Sequence, residues 1–168
     1  GRAPDMQPQL GETGIGGGSW NYTTAQDHGG PYQQFITGVD PVDGKWLEYM
    51  FPVEKTTPNS KGEVSFDGYI PDPGPPPLHR FQESKGYYAW MANIGGRFEK
   101  QLNAWFEGQF ARQVRALEDI PNARLEWNFD DKTVADAFRK RVMQDADAYE
   151  MLESGRLTIN WVPMPKDR

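Results

Sequence analysis

The chain has 168 residues, no cysteine, six tryptophans, 13% aromatic residues and a formal net charge of −6. That length suits one domain with a real core, and the aromatic content favours packing over disorder. The lack of cysteine excludes disulfides, thiol nucleophiles and cysteine zinc sites, no apolar run reaches the roughly 18 residues of a membrane helix, and the acidic balance counts against a uniformly basic nucleic-acid binder.

Residues 1–19, GRAPDMQPQLGETGIGGGS, are rich in Gly and Pro and nearly free of large apolar groups, which reads as a linker, flexible or loosely draped. They hold no apolar signal region, and the missing initiator Met reads as a piece cut from a longer chain. Structure is expected from Trp20 to Pro163, with 164–168 as a polar tail. Gly30-Pro31 followed by YQQFITG predicts a short helix, Pro31 at its first position and Gly38 past its end. Trp46–Val53 reads as a first strand, Val64–Ile70 as a second and Leu78–Lys85 as a third, with PDPGPPP as the turn between the last two. Short connections predict that these three form an antiparallel meander.

Helical spacing then takes over. Phe98, Leu102, Trp105, Phe106, Val114 and Leu117 mark a helix over Arg97–Leu117, ended by Pro121. Ala123–Phe129 alternates as a strand. Asp130 or Asp131 caps a helix with the stripe Val134, Phe138 and Val142, broken near Asp145 and finished by Gly155, and Leu157–Val162 is a last strand. The order is helix, three-strand meander, helix, strand, helix, strand. Strands joined through helices favour parallel pairing at the C-terminal end, so the predicted fold is α/β with a mixed central sheet flanked by helices.

Three side chains stand out within Val64–Gly86. Glu83 and Lys85, two apart on a strand, project to one face with Ser84 pointing away, and antiparallel pairing brings Asp67 to the same patch. Two nearby carboxylates repel, and a hard divalent cation between them removes that cost and activates water for phosphodiester hydrolysis. A lysine alongside orients the water and stabilises developing charge. A surface salt bridge at a strand end is the plain alternative. Glu48, sharing a strand face with Trp46 and Met50, is an extra ligand or a solvent-facing carboxylate. Gln33 and Gln34 bind phosphate or water, or merely form a polar helix face. Gln109, Arg112 and Gln113, three and four apart on the long helix, track a phosphate backbone or form a solvated face. Tyr87, Tyr88 and Trp90 stack bases or pack under the sheet. The excess acid sits in residues 1–80, whereas Arg97–Arg115 is locally basic, which leaves room for a local track on an acidic nuclease. His28 and His79 are the only histidines, too few for a histidine metal site, and GIGGGS lacks the GK[ST] ending of a phosphate loop.

The order of elements together with FDGY, ESKG, YQQFITG, the Gln/Arg helix, LEWNF and LTINWVP resembles the PD-(D/E)xK nuclease superfamily over residues 20–163. More narrowly, the chain is similar to the fifth class of restriction-endonuclease-fold toxin domains of polymorphic and type VI secretion effectors. Phe66 stands where the superfamily motif has proline before the acid. The resemblance implies a restriction-endonuclease-like fold and a Mg²⁺- or Mn²⁺-dependent DNA endonuclease. Asp67, Glu83 and the Ser84 carbonyl would hold the metal, and Lys85 would position the attacking water. It further implies an antibacterial effector secreted through an apparatus engaged by the missing N-terminal part. Such an effector acts in the target-cell cytoplasm and is neutralised by a cognate immunity protein. A degenerate nuclease fold serving as a protein-binding module, and the same fold acting on RNA, are the competing readings.

Overall fold

A computed structural model of the chain describes residues 6–23 and 30–165. The outer ends of the expected linker and tail, and His28, lie outside the described residues. The fold is mixed α/β with two sheets. Strands β1 (Ser19–Tyr22), β2 (Leu47–Pro52) and β3 (Glu63–Phe66) form an antiparallel three-stranded sheet in that order. Strands β4 (Gly68–Asp72), β5 (Leu78–Lys85), β6 (Ala123–Phe129) and β7 (Leu157–Trp161) form the second. There β4 pairs antiparallel with β5, while β5, β6 and β7 run parallel. Parallel pairing requires crossovers, and helices supply both. Between β5 and β6 lie α2 (Gly96–Ala104), a π-helical stretch Trp105–Phe110 and α3 (Ala111–Leu117). Between β6 and β7 lie α4 (Lys132–Met143) and α5 (Ala146–Glu153).

The expected single strand Val64–Ile70 is corrected to two, and the single central sheet with it. The chain leaves the first sheet at Phe66 and enters the second at Gly68, with Asp67 at the crossing. Gly68 permits the crossing to be tight, because a Cβ there would lie 2.7 Å from Thr37 Cγ2 and 2.6 Å from Gln82 Oε1. Helix α1 (Gly30–Thr37) packs against β5 at this point, and Gln82 Nε2 donates to the Ile36 carbonyl at 3.4 Å.

Residues 6–19 also depart from expectation. Gly11 N–H donates to the Trp20 carbonyl at 2.7 Å and Trp20 N–H to the Glu12 carbonyl at 2.9 Å, while Gln7 brackets Gly38 and Asp40 with its side-chain amide. Tyr49 Oη donates to the Ile15 carbonyl at 2.7 Å. Glycine is required here for contact rather than slack: Gly16 has φ of 67°, and a Cβ on it would collide with the Phe51 ring.

Strand periodicity places the core. Leu47, Tyr49 and Phe51 are buried on one face of β2, and Phe81 of β5 is fully buried between the sheets, 4.8 Å from Phe66 and 5.0 Å from Tyr69 between ring centroids. On the helical side of the second sheet, Trp127 of β6 stacks on Phe138 of α4 at 4.6 Å, and Trp105 and Phe110 close over them. Each such ring contributes about 1.5–3 kcal/mol by burial. Both C-terminal helices are capped by aspartate: Asp131 accepts from Val134 N–H at 3.0 Å and Asp145 from Ala148 N–H at 2.9 Å. Each cap is worth about 1 kcal/mol.

Candidate functional site

Asp67, Glu83 and Lys85 do converge, at the C-terminal end of β5 where the two sheets part. Glu83 and Lys85 share a face of the strand, and Lys85 Nζ donates to Glu83 Oε2 at 2.9 Å. Asp67 approaches the same strand edge-on, because β4 begins only after it. Its Oδ2 accepts from Ser84 N–H at 2.7 Å and from Ser84 Oγ at 2.8 Å. The serine side chain therefore engages Asp67 instead of pointing away from the cluster. In an extended strand the N–H and C=O of one residue lie on the same side. The Ser84 carbonyl thus faces the Asp67 edge rather than β6, as a metal ligand there requires.

All three side chains are nearly closed from solvent: Asp67 is 8% exposed, Glu83 2% and Lys85 8%. Burial therefore shapes their electrostatics. The Asp67 carboxyl titrates well above the usual carboxylate range, first because it is desolvated and then because Glu83 and Glu48 add negative charge, which Lys85 and the Ser84 hydrogen bond only partly offset. For Lys85, burial works against the ammonium, but the Glu83 and Asp67 carboxylates and the Glu83 hydrogen bond outweigh it, and the pKa is raised. Lys85 also sits over the faces of Trp105 and Trp127, at 5.4 and 5.1 Å from their centroids. Cation–π attraction adds to its hold on the proton.

The long helix serves the site differently from expectation. Gln113 is fully buried, not part of a solvated or phosphate-tracking face: its Nε2 donates to Glu83 Oε1 at 3.0 Å and to the Ser65 carbonyl at 3.3 Å, and its Oε1 accepts from Trp127 Nε1 at 2.9 Å. Trp127, Gln113 and Glu83 thus form one chain of hydrogen bonds, and Lys85 takes the remaining Glu83 oxygen. Gln109, in the π-helical stretch, accepts from Lys85 Nζ at 2.6 Å. Such stretches widen a helix locally and are frequent at functional sites. Arg112 points outward and is exposed.

Gln33 and Gln34 are engaged elsewhere. Gln33 is buried and donates to the Leu47 carbonyl at 3.4 Å, tying α1 to β2, and Gln34 donates to Asp40 Oδ1 at 3.0 Å. Glu48 lies on β2, opposite Asn21, half-buried and close enough for its charge to bear on Asp67. Among the described residues no three His, Asp or Glu side chains gather as a metal cluster, and no helix is long and apolar enough to cross a membrane. Asn128 was missed in the sequence. It is buried beside Glu83, donating to its carbonyl at 3.3 Å and accepting from Asn160 Nδ2 at 3.1 Å. Alternation in LEWNF puts it with Glu126 on the face opposite Leu125, Trp127 and Phe129, so the strand pattern carries no signal for its burial.

The donor set suits a hard divalent cation held partly by water. Asp67 and Glu83 offer carboxylate oxygens and Ser84 a carbonyl; burial first, and then the neighbouring negative charge, lifts the Asp67 pKa, and a cation would relieve the second. No protein-family model and no curated protein matches the chain.

Proposed function

We propose that this chain is a restriction-endonuclease-like, metal-dependent endonuclease that hydrolyses phosphodiester bonds of DNA. The observation that carries the reading is the buried Asp67–Ser84–Glu83–Lys85 constellation at the point where the strands diverge. Buried charge is costly unless it is paired, and one lysine faces two buried carboxyl groups whose joint ionisation a bound cation would favour. Asp67, Glu83 and the Ser84 carbonyl would hold Mg²⁺ or Mn²⁺, which supplies Lewis-acid charge relief and an activated water.

The protein's own groups have separable tasks. Lys85 keeps its proton at neutral pH, so it acts as a cation and hydrogen-bond donor rather than as a base. Gln109 and Glu83 aim its ammonium, and Trp105 and Trp127 exclude water from one side of it. Gln113 holds Glu83 in one rotamer. In the reaction, a water oxygen bonds to phosphorus, the P–O bond to the leaving sugar oxygen breaks, and the proton that the water gives up passes by way of solvent to that oxygen. Lys85 is the charged group placed to stabilise the developing negative charge. By resemblance, the domain is an antibacterial effector, delivered to the target-cell cytoplasm and neutralised by an immunity protein.

The test is plasmid cleavage with Mg²⁺, with EDTA, and by the near-isosteric variants Glu83→Gln and Lys85→Met, each shown to be folded by circular dichroism. Metal-dependent cleavage lost in both variants is expected, with a parallel RNA substrate left intact. Cleavage undiminished in the folded variants refutes the assignment. A second reading, a binding module on the same scaffold, draws on the closure of the site from solvent. Calorimetric titration with Mg²⁺ separates them: heat that vanishes in Asp67→Asn supports the enzyme, and no heat at all supports the module.

A further inference from the structure

We propose that the groove between the turn Ala89–Asn93 and helix α2 docks an unpaired DNA strand, with a base stacked on Trp90 and phosphates on Arg97 and Lys100. The groove measures about 380 Å³ and is lined by Trp90, Ile94, Arg97, Lys100 and Ala104 among others, with no acidic side chain. Trp90 is 59% exposed, and among the described residues its ring has no aromatic partner and its indole N–H no acceptor. Packing therefore does not account for a tryptophan here. Arg97 and Lys100 are exposed, lie one helical turn apart on α2, and form no ion pair among the described residues. In a chain with 24 acidic and 18 basic residues, two unpaired cations beside an open aromatic face make a positive, apolar patch on a negative molecule.

Charge complementarity selects a polyanion, and the open ring selects one with free flat faces. Duplex bases are covered on both faces by their neighbours, whereas every unpaired base offers a face for stacking. The position fits as well. Ala104, in the groove, precedes Trp105, whose ring lies under Lys85 and carries Tyr88 edge-on at 4.8 Å. The groove thus adjoins the helical segment whose next residue covers Lys85. The choice of DNA rests on the nuclease reading above; the base-and-phosphate chemistry of the groove does not.

The experiment is fluorescence anisotropy of a labelled oligothymidylate of about 15 nucleotides, in EDTA so that no cleavage can occur. Trp90→Ala is expected to weaken binding about five-fold or more, with Trp90→Phe retaining most of the affinity. The double variant Arg97→Ala/Lys100→Ala is expected to flatten the slope of log K against log salt by about 1.4, the value for two single-strand phosphate contacts. All three positions are exposed, so the variants keep the fold. The proposal is overturned by a wild type without measurable affinity, by variants with unchanged affinity and salt slope, by a Trp90→Ala variant that binds normally while the double variant does not, or by tighter binding of the matching oligouridylate. Because binding is read without metal, a failed groove shows as unchanged affinities even in an active nuclease. A failed nuclease reading shows as absent metal-dependent cleavage with these shifts intact.

Discussion

Lys85 and Glu83 are a buried pair, and the strength of their coupling can be worked from their surroundings. Glu83 is 2% exposed with Lys85 on one oxygen and Gln113 on the other. Lys85→Met removes the counter-charge and leaves a dehydrated carboxylate with one neutral donor, while Asp67 loses the cation that partly offsets its own repulsion from Glu83. Removing one partner of a buried pair costs about 3–5 kcal/mol, a large fraction of the roughly 5–15 kcal/mol that holds a domain folded. For a chain of this length that is a fall in melting temperature on the order of 10 °C. Glu83→Gln/Lys85→Met replaces the pair with neutral groups of similar volume and removes both orphaned charges. Its stability is expected to lie well above the sum of the two single losses, with a coupling of at least about 2 kcal/mol. Urea denaturation of the four proteins in EDTA at neutral pH, with slopes compared to confirm two-state behaviour, measures the cycle. Additivity within about 0.5 kcal/mol would refute the reasoning, since it means that the two charges are solvated rather than mutually dependent.

Four further outcomes rest on the same geometry. The folded-state pKa of Asp67 is raised, so its contribution to stability falls as pH rises from the unfolded carboxylate range through the folded value; in EDTA, Asp67→Asn is expected to flatten that decline and to gain on wild type at neutral pH, and parallel melting curves from pH 4 to 8 would count against the buried, crowded carboxyl. Mg²⁺ should raise the melting temperature of wild type and leave that of Asp67→Asn unmoved, a check on the ligand assignment that needs no substrate. Gln113→Leu orphans both Trp127 Nε1 and Glu83 Oε1 inside the core and is expected to cost about 1–3 kcal/mol for each group, read by urea denaturation, whereas Gln109→Ala, at a half-buried position, is expected to lower cleavage with little change in stability.

Local chemistry made much of this molecule legible. The strands Leu78–Lys85 and Ala123–Phe129, the capped helix after Asp131, its break at Asp145 and the parallel C-terminal pairing follow from period, caps and connection length, which act over a few residues. The i, i+2 rule likewise puts Glu83 and Lys85 on one face, and antiparallel pairing of the following residues with β5 brings Asp67 alongside it. What only the tertiary structure decided depends on where the sheets divide. Val64–Ile70 reads as one extended run with a glycine in it, and the sequence does not say that Phe66 and Gly68 belong to different sheets; the tight crossing there leaves no room for a Cβ on Gly68 beside Thr37 and Gln82. The glycines before Trp20 have the composition of a linker, and their use as seats for Tyr49 and Phe51 appears only when distant rings reach them. Gln113 reads as surface in a helical projection, yet its amide is the buried link between Trp127 and Glu83. Residue type and spacing single out Asp67, Glu83 and Lys85 as candidates beside the plain alternative of a surface salt bridge. Their closure from water, and with it the raised Asp67 pKa and the protonated Lys85, comes from two sheets and a helix meeting around them, because desolvation depends on everything packed against a charge rather than on its neighbours in sequence.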